Sequence, residues 1–248
     1  MSLSDEELER YARHIVLPQV GGAGQRKLKS ARLAVIGAGG IGSAVIPALA
    51  GAGVGRITII DSDEVELTNL HRQPLFAEAD AGKAKAELAA GFVRRLNHFV
   101  EVKRRHERIA SENAPRLLTG HDLVIDGSDN FATRLAVSDA CIALGIPLIS
   151  AAAMQFQGQV GLFRSRPCYR CFVGDAFDAD DCDNCAELGV LGAFTATIGS
   201  FAALLAINSI VGVGDDQTGQ LHLFDGERLD WRTIRIPPDP GCRACGSA

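Results

Sequence analysis

Two cysteine pairs, Cys168-x-x-Cys171 and Cys242-x-x-Cys245, stand at metal-ligand spacing beside turn-forming Pro, Gly or Arg. Four thiolates so arranged suit a closed, tetrahedral structural zinc site with no position left for catalysis. A redox pair or two disulfides are the competing readings. Both fit poorly with a chain that shows no export signal and no thioredoxin-like pattern around the pairs. Zinc bound there would tie the C-terminal tail back onto the strands that precede Cys168. Cys182 and Cys185 repeat the spacing inside an acidic loop over 174–184, where an exposed cysteine can serve as nucleophile or sulfur carrier. Cys141 lies in a helical pattern and reads as core, and none of the 6 histidines has a ligand or triad setting.

A second chemistry is written in glycine. Leu33-Ala34-Val35-Ile36 runs into Gly37-Ala38-Gly39-Gly40-Ile41-Gly42, a G-x-G-x-x-G turn between a strand and a helix. Such a turn lets the backbone approach a phosphate while the helix N-terminus presents free N–H groups. Asp61 closes the next strand about 20 residues on, where a carboxylate meets a ribose hydroxyl. The turn by itself says only nucleotide, or a tight strand–helix packing corner. Arg72 and Lys85 bring two cations towards it, more charge than a dinucleotide needs and suited to a triphosphate with a leaving pyrophosphate. Asp126 and Asp129 fall at the carboxyl end of a further strand, the mouth at which open parallel sheets bind ligands and where a Mg²⁺-holding aspartate belongs. Ordinary surface cations and a helix-capping Asp are the plain alternatives for these residues.

These side chains need elements to position them. Ser4 caps an amphipathic helix through about His14, with Arg10 and Arg13 on one face, and a second short helix covers Gly24–Lys29. Strands are expected at Arg32–Ile36, Arg56–Asp61, Val100–Lys103, Asp122–Asp126, Pro147–Ala151 and Gln159–Phe163. Helices are expected from Gly40 to about Ala52, with Pro47 inside, from about Ala79 to Leu96, and from Phe131 to Leu144. That alternation gives an α/β fold, a doubly wound, mostly parallel Rossmann-like sheet, followed by antiparallel strands near Leu221–Asp225 and Trp231–Ile236 stapled by the cysteines. One domain is expected, with an N-terminal helical arm over 1–30, a nucleotide-binding core over 31–150 and a zinc-bearing, partner-binding part over 151–248.

The 248 residues are 47% hydrophobic, enough for a sizeable core, and carry a net charge of −5, which disfavours nucleic acid as a partner. Leu188–Gly214 lacks charge and is long enough to span a bilayer, but its five glycines and its polar residues favour a buried helix with its approach loop. A cytoplasmic location, with no membrane partner, follows as the expectation.

Taken in order, Arg10-Tyr11-Ala12-Arg13-His14-Ile15, the glycine turn, Ala52-Gly53-Val54-Gly55, Asn69-Leu70-His71-Arg72-Gln73, Gly82-Lys83-Ala84-Lys85, Asp126-Gly127-Ser128-Asp129-Asn130 and the two cysteine motifs resemble the ThiF/MoeB/HesA family, bacterial relatives of ubiquitin-activating enzymes. The resemblance spans essentially the whole chain. It implies ATP-dependent adenylation of the C-terminal glycine of a small ubiquitin-like sulfur-carrier protein of the MoaD or ThiS type, ending in Gly-Gly. The pathway would be molybdopterin or thiamin biosynthesis. It further implies that Gly37, Gly39, Gly40 and Gly42 cradle the nucleotide, with Gln73 and Asn130 beside it. Asp61 would bond the ribose, Asn69, Arg72 and Lys85 would hold phosphates, and Asp129 would organise Mg²⁺. Arg13 would enter a partner subunit's site in a homodimer. Cys185 matches a position that bonds covalently to the carrier in some members, with Cys182 a neighbour easily confused with it. A separate sulfurtransferase or cysteine desulfurase would supply sulfur. Leu96-Asn97-His98 and Pro47 depart from the family pattern. A non-catalytic carrier-docking or sulfur-relay protein, or an NAD-dependent oxidoreductase, are the alternative functions.

Overall fold

The computed structural model describes residues 2–174 and 189–246. Cys182, Cys185 and the acidic loop lie outside the described residues. Eight strands form one sheet in the order β3-β2-β1-β4-β5-β6-β7-β8. β1 (Arg32–Ile36), β2 (Arg56–Ile60), β3 (Glu101–Arg105), β4 (Leu123–Asp126) and β5 (Leu148–Met154) run parallel. β6 (Gln157–Phe163), β7 (Gln220–Asp225) and β8 (Asp230–Arg235) continue the sheet antiparallel. The mixed architecture expected from the alternation of strands and helices is the one observed.

The central strands are apolar on both faces, so helices must cover both. Leu33, Val35, Ile57, Ile59, Leu123, Ile125 and Ile149 point to one core. It is closed by α3 (Gly21–Ser30), α4 (Gly42–Ala52), α5 (Lys85–Leu96) and α9 (Gly192–Val211). Ala34, Ile36, Ile60, Val124 and Leu148, the alternate positions, point to a second core. That one is closed by α6 (Ala114–Leu118), α7 (Phe131–Leu144) and α8 (Tyr169–Val173). α9 is long and apolar enough to cross a membrane, yet half of its apolar window is buried here, against α3, α4, β5 and β6.

Several boundaries differ from expectation. The N-terminal helix breaks at Tyr11 into α1 (Asp5–Arg10) and α2 (Ala12–Ile15). Tyr11 turns inward, where its ring lies 2.5 Å from where a Cβ on Gly53 would sit and its hydroxyl accepts from Asn97 Nδ2 at 2.8 Å. Asn97 also donates to the Ala50 carbonyl at 2.7 Å, so it locks the arm to the C-terminal end of α4. The helix expected from Ala79 begins only at Lys85. Gly82 at φ +78° breaks it, and Lys83–Lys85 runs back along Asp63–Val65, with Val65 N bonded to Lys83 O and Lys85 N to Asp63 O. α4 continues through Pro47. The short helices α6 and α8 were not expected.

Candidate functional site

The glycine turn sits where the carboxyl ends of β1 and β4 part. Gly37 takes φ +84°, and a Cβ there would press on the Gly127 carbonyl at 3.3 Å. A Cβ on Gly42 would collide with the Gly37 carbonyl, so the turn closes only with glycine at both positions. Gly37 N is bonded to Ile60 O and Ala38 N to Asp61 Oδ2 at 2.6 Å. The next three amides, Gly39, Gly40 and Ile41, find no protein acceptor among the described residues. They stand together at the N-terminus of an 11-residue helix. Unpaired N–H groups and the positive end of the helix make an anion cradle.

Around the cradle the polar groups are buried and incompletely paired. Asp61 is 8% exposed; its other oxygen accepts from Asp63 N at 2.7 Å. Burial pushes its carboxyl up, against the two N–H donors that favour the ionised form. Gln73 is 3% exposed, its Nε2 lies 3.6 Å from where a Cβ on Gly39 would stand, and its Oε1 has no partner. Asp126 Oδ2 and Ser128 Oγ are likewise buried without a partner. Such orphaned atoms are rare unless a ligand or water completes them. The space a side chain at Gly39 would fill and the unpaired donors and acceptors fit a nucleotide.

The cations arrive by separate routes. Lys85, 5% exposed, pairs with Asp63 Oδ2 at 3.2 Å beside Asp61. Arg72 donates to Asn69 Oδ1 at 2.8 Å and shares a 2.9 Å contact with His71 Nε2. Its backbone abuts Gly192 at the start of α9, and Thr195, one turn on, packs against Gly40 with 3.1 Å to a Cβ there. α9 therefore seats the Asn69–Gln73 segment beside the turn. Thr195 was not singled out from sequence, because a Thr in an apolar helix carries no signal of its own. Asp129 is exposed and bonds to no described residue, and Asn130 caps α7 by accepting from Thr133 N at 2.9 Å.

Arg13 does not join this group within its own chain. It is exposed on α2, at the Tyr11–Gly53 end of α4, whereas the cradle lies at the other end, about 16 Å away at 1.5 Å per residue.

The four cysteines do converge. Cys168 caps α8, Cys242 and Cys245 follow β8, and the four sulfurs lie within 4.8 Å of one another. Three of the pairs, Cys171–Cys245, Cys168–Cys242 and Cys168–Cys171, are 3.3, 3.6 and 4.0 Å apart. Tetrahedral zinc with Zn–S near 2.3 Å demands about 3.8 Å between sulfurs, so the donor set fits the ion. Cys242 is held down to about 7: burial opposes ionisation, but the Cys245 and Ala244 N–H groups outweigh it. Among the described residues no other cluster of three or more such ligands occurs. Cys141 is buried and its thiol is pushed up by burial, as a core residue's would be.

Comparison with known proteins agrees with this architecture. The Thermus thermophilus sulfur carrier protein adenylyltransferase is 42% identical over 253 residues, covering 99% of this chain and 93% of that protein. The Haloferax volcanii SAMP-activating enzyme E1 is 39% identical, covering 99% and 92%. The Anopheles gambiae adenylyltransferase and sulfurtransferase MOCS3 is 43% identical, but the chain spans only 56% of its length. Among solved structures, Escherichia coli MccB bound to MccA-N7isoASN superposes with a TM-score of 0.85 at 23% identity, covering 99% of this chain and 76% of that one, a likeness of fold. The ThiF family model matches residues 11–244, and the chain belongs to the ThiF family.

Proposed function

We propose that the protein uses ATP to adenylate the C-terminal glycine carboxylate of a small ubiquitin-like sulfur-carrier protein, releasing pyrophosphate as a step of sulfur transfer for molybdopterin or thiamin biosynthesis. The observation that carries this reading is the row of unpaired amides at Gly39, Gly40 and Ile41, with Lys85 paired beside Asp61, Arg72 seated by the start of α9 and Asp129 exposed beyond β4. The names of the Thermus and Haloferax relatives support it.

The attacking group is a carboxylate, ionised at neutral pH, so the site needs no general base. It needs a positioned α-phosphate and compensation of charge on the leaving group. The amides of Gly39, Gly40 and Ile41 take phosphate oxygens, with Gly37 and Gly42 shaping the turn. Asp61 turns its remaining lone pairs to the ribose, and the Gln73 carbonyl and Asn130 line the nucleotide. Asn69, Arg72 and Lys85 neutralise phosphate, and Lys85 must exchange its contact with Asp63 to do so. Asp129, exposed and unpaired, would hold Mg²⁺, which supplies charge compensation to the triphosphate. Zinc in the Cys168, Cys171, Cys242 and Cys245 set would have a structural role. Arg13, remote from its own cradle, reaches the site of a second subunit in a homodimer. A cysteine desulfurase or sulfurtransferase supplies the sulfur, and Cys185 is a candidate for covalent linkage to the carrier.

Carrier-dependent ATP–pyrophosphate exchange tests the reading. The protein should support exchange with a carrier ending in Gly-Gly, and Asp129→Ala should abolish it with the fold intact. Arg72→Ala should cost roughly 10²-fold or more. Mixing inactive Arg13→Ala and Asp129→Ala proteins should restore part of the activity through hybrid dimers. Exchange at the wild-type rate in Asp129→Ala would remove that residue's assignment, and no recovery on mixing would remove the shared site.

A further inference from the structure

One buried cation has no part in the roles above. Arg134, the fourth residue of α7, is 7% exposed. A buried guanidinium needs acceptors, and this one has three, all main chain or hydroxyl. Its Nη1 donates to Ser150 Oγ at 3.0 Å, and its Nη2 donates to the Ala151 carbonyl at 2.9 Å and to the Ser128 carbonyl. Ser150 and Ala151 lie on β5; Ser128 immediately precedes Asp129. The same turn is pinned from below by Ser128 N on Asp126 Oδ1 at 2.9 Å and by Gly127 N on Ile36 O at 3.0 Å. Arg134 thus bridges the turn that follows β4 and the middle of β5, and fixes that turn at its outer edge, where Asp129 itself has no bond.

Behind Arg134 stands Tyr169, 3% exposed, whose hydroxyl faces the guanidinium and Ser150. Its ring is wedged by Phe163 at 5.6 Å, Phe172 at 6.1 Å and Phe131 at 6.4 Å between centroids. Tyr169 is also the residue after Cys168 in the Cys168-x-x-Cys171 pair, and its neighbour Arg170 grips Asp139 of α7 through bonds of 2.6 and 2.7 Å. The cysteine cluster and the Asp129 turn are therefore two ends of one contiguous set of packed and hydrogen-bonded groups.

We propose that Arg134 is a positioning residue for Asp129, clamping the Ser128–Asp129 turn against β5, and that Tyr169, held beside the clustered cysteines, keeps the Arg134 guanidinium aimed. The inference rests on the reading of Asp129 as the Mg²⁺-organising carboxylate. A guanidinium fork is needed because three acceptors on two strands must be met at once, which a lysine ammonium on a flexible stem does not do. Residues that orient a metal-holding group cost 10- to 100-fold in metal affinity or activity when changed.

The test uses the full-length protein with a bound-Mn²⁺ measurement (electron paramagnetic resonance with a non-hydrolysable ATP analogue) alongside pyrophosphate exchange titrated with Mg²⁺. Arg134→Lys should raise the Mg²⁺ concentration for half-maximal exchange about 10-fold or more and weaken Mn²⁺ binding in parallel. Tyr169→Phe keeps the ring and its packing but removes the hydroxyl that faces the guanidinium, and should shift both roughly 3- to 10-fold. Zinc content should stay at the wild-type level in each. If Tyr169→Phe and Ser150→Ala lower only the melting temperature and leave both metal readouts within 2-fold, Arg134 is a structural cation and the inference is overturned, even should Arg134→Lys fail to fold. Wild-type exchange that is lost in Asp129→Ala but unmoved in these variants would leave the adenylation reading standing and sink this one. Wild-type exchange that is absent altogether would sink the other.

Discussion

The parallel half of the sheet and its antiparallel extension keep their shape by different means. β1, β2 and β4 are covered on both faces, with Leu33, Ile57, Ile59, Val124 and Ile125 at 0–2% exposure. β8 is the opposite case: Asp230 to Thr233 are all exposed, and only Ile234 is partly buried in the strand. What holds that edge is local. Trp231 stacks on Phe201 at 4.4 Å and on Phe224 at 4.6 Å, and the tail beyond it is gathered by the cysteines. A sheet buried on two faces is stabilised by removal of apolar surface from water, spread over many residues. A sheet exposed at its edge must be tied at points. The lesson is that the cradle can be placed accurately by packing alone, while at the extension the four sulfurs gathered within 4.8 Å of one another offer the point at which a metal crosslink would act.

The strongest way to break that contrast is to remove the cysteine cluster or any metal it holds. Cys168→Ser, or stripping metal with a strong chelator, should strike the extension hardest, because structural zinc sites contribute on the order of 10 kcal/mol or more where they form. Hydrogen exchange should rise sharply across β7 and β8 while β1 and β4 stay protected. Equal loss of protection in both halves would mean that the sheet is one cooperative unit and the contrast is false. Next in size is a cavity in the covered half. Ile59→Ala, at a position with 0% exposure, should cost about 2–5 kcal/mol by urea denaturation, with unfolding that takes the whole sheet along. A cost under about 1 kcal/mol would show that burial is not what holds the parallel half.

Much of this was legible in sequence, and the illegible part has a physical pattern. The strand Arg32–Ile36 and the helix Phe131–Leu144 coincide with their expected spans, because apolar runs bounded by glycine or by an Asn cap leave one solution. The cysteine pairs converge as their spacing indicated. The start of α5 was misplaced because Lys83–Lys85 is held by main-chain bonds to Asp63 and Val65, a tertiary contact that no local pattern announces. Arg134 escaped for the same reason. An Arg in a helix reads as a solvated charge until the fold shows Ser128, Ser150 and Ala151 closing around it. Asp129 and Arg13 are exposed and bond to no described residue, so nothing in their own chain marks them as more than solvated charges.

The smallest effect, a test by acid, sharpens the contrast. At the rim of the parallel half, Glu7 completes a capping box with Ser4 and accepts from Lys29 Nζ at 2.6 Å. Burial alone would raise the Glu7 carboxyl, but the Lys29 ammonium and the Ser4 N–H outweigh it and hold it below its ordinary 4.5. A depressed acid contributes stability that is complete above 4.5 and is lost as pH falls through the lower folded-state value. Glu7→Gln retains the capping geometry and removes only the charge. It should cost about 1 kcal/mol at pH 7, and the difference from wild type should vanish in strong acid. A metal held by the four cysteines would make the extension answer to pH more steeply, since every ligand bound to it must stay deprotonated. Acid titration followed by exchange should therefore loosen β7 and β8 at a higher pH than the arm. If the arm detached first, the charge at Glu7 would be holding more of the parallel half than its buried residues do, and point ties, not burial, would have to explain both halves.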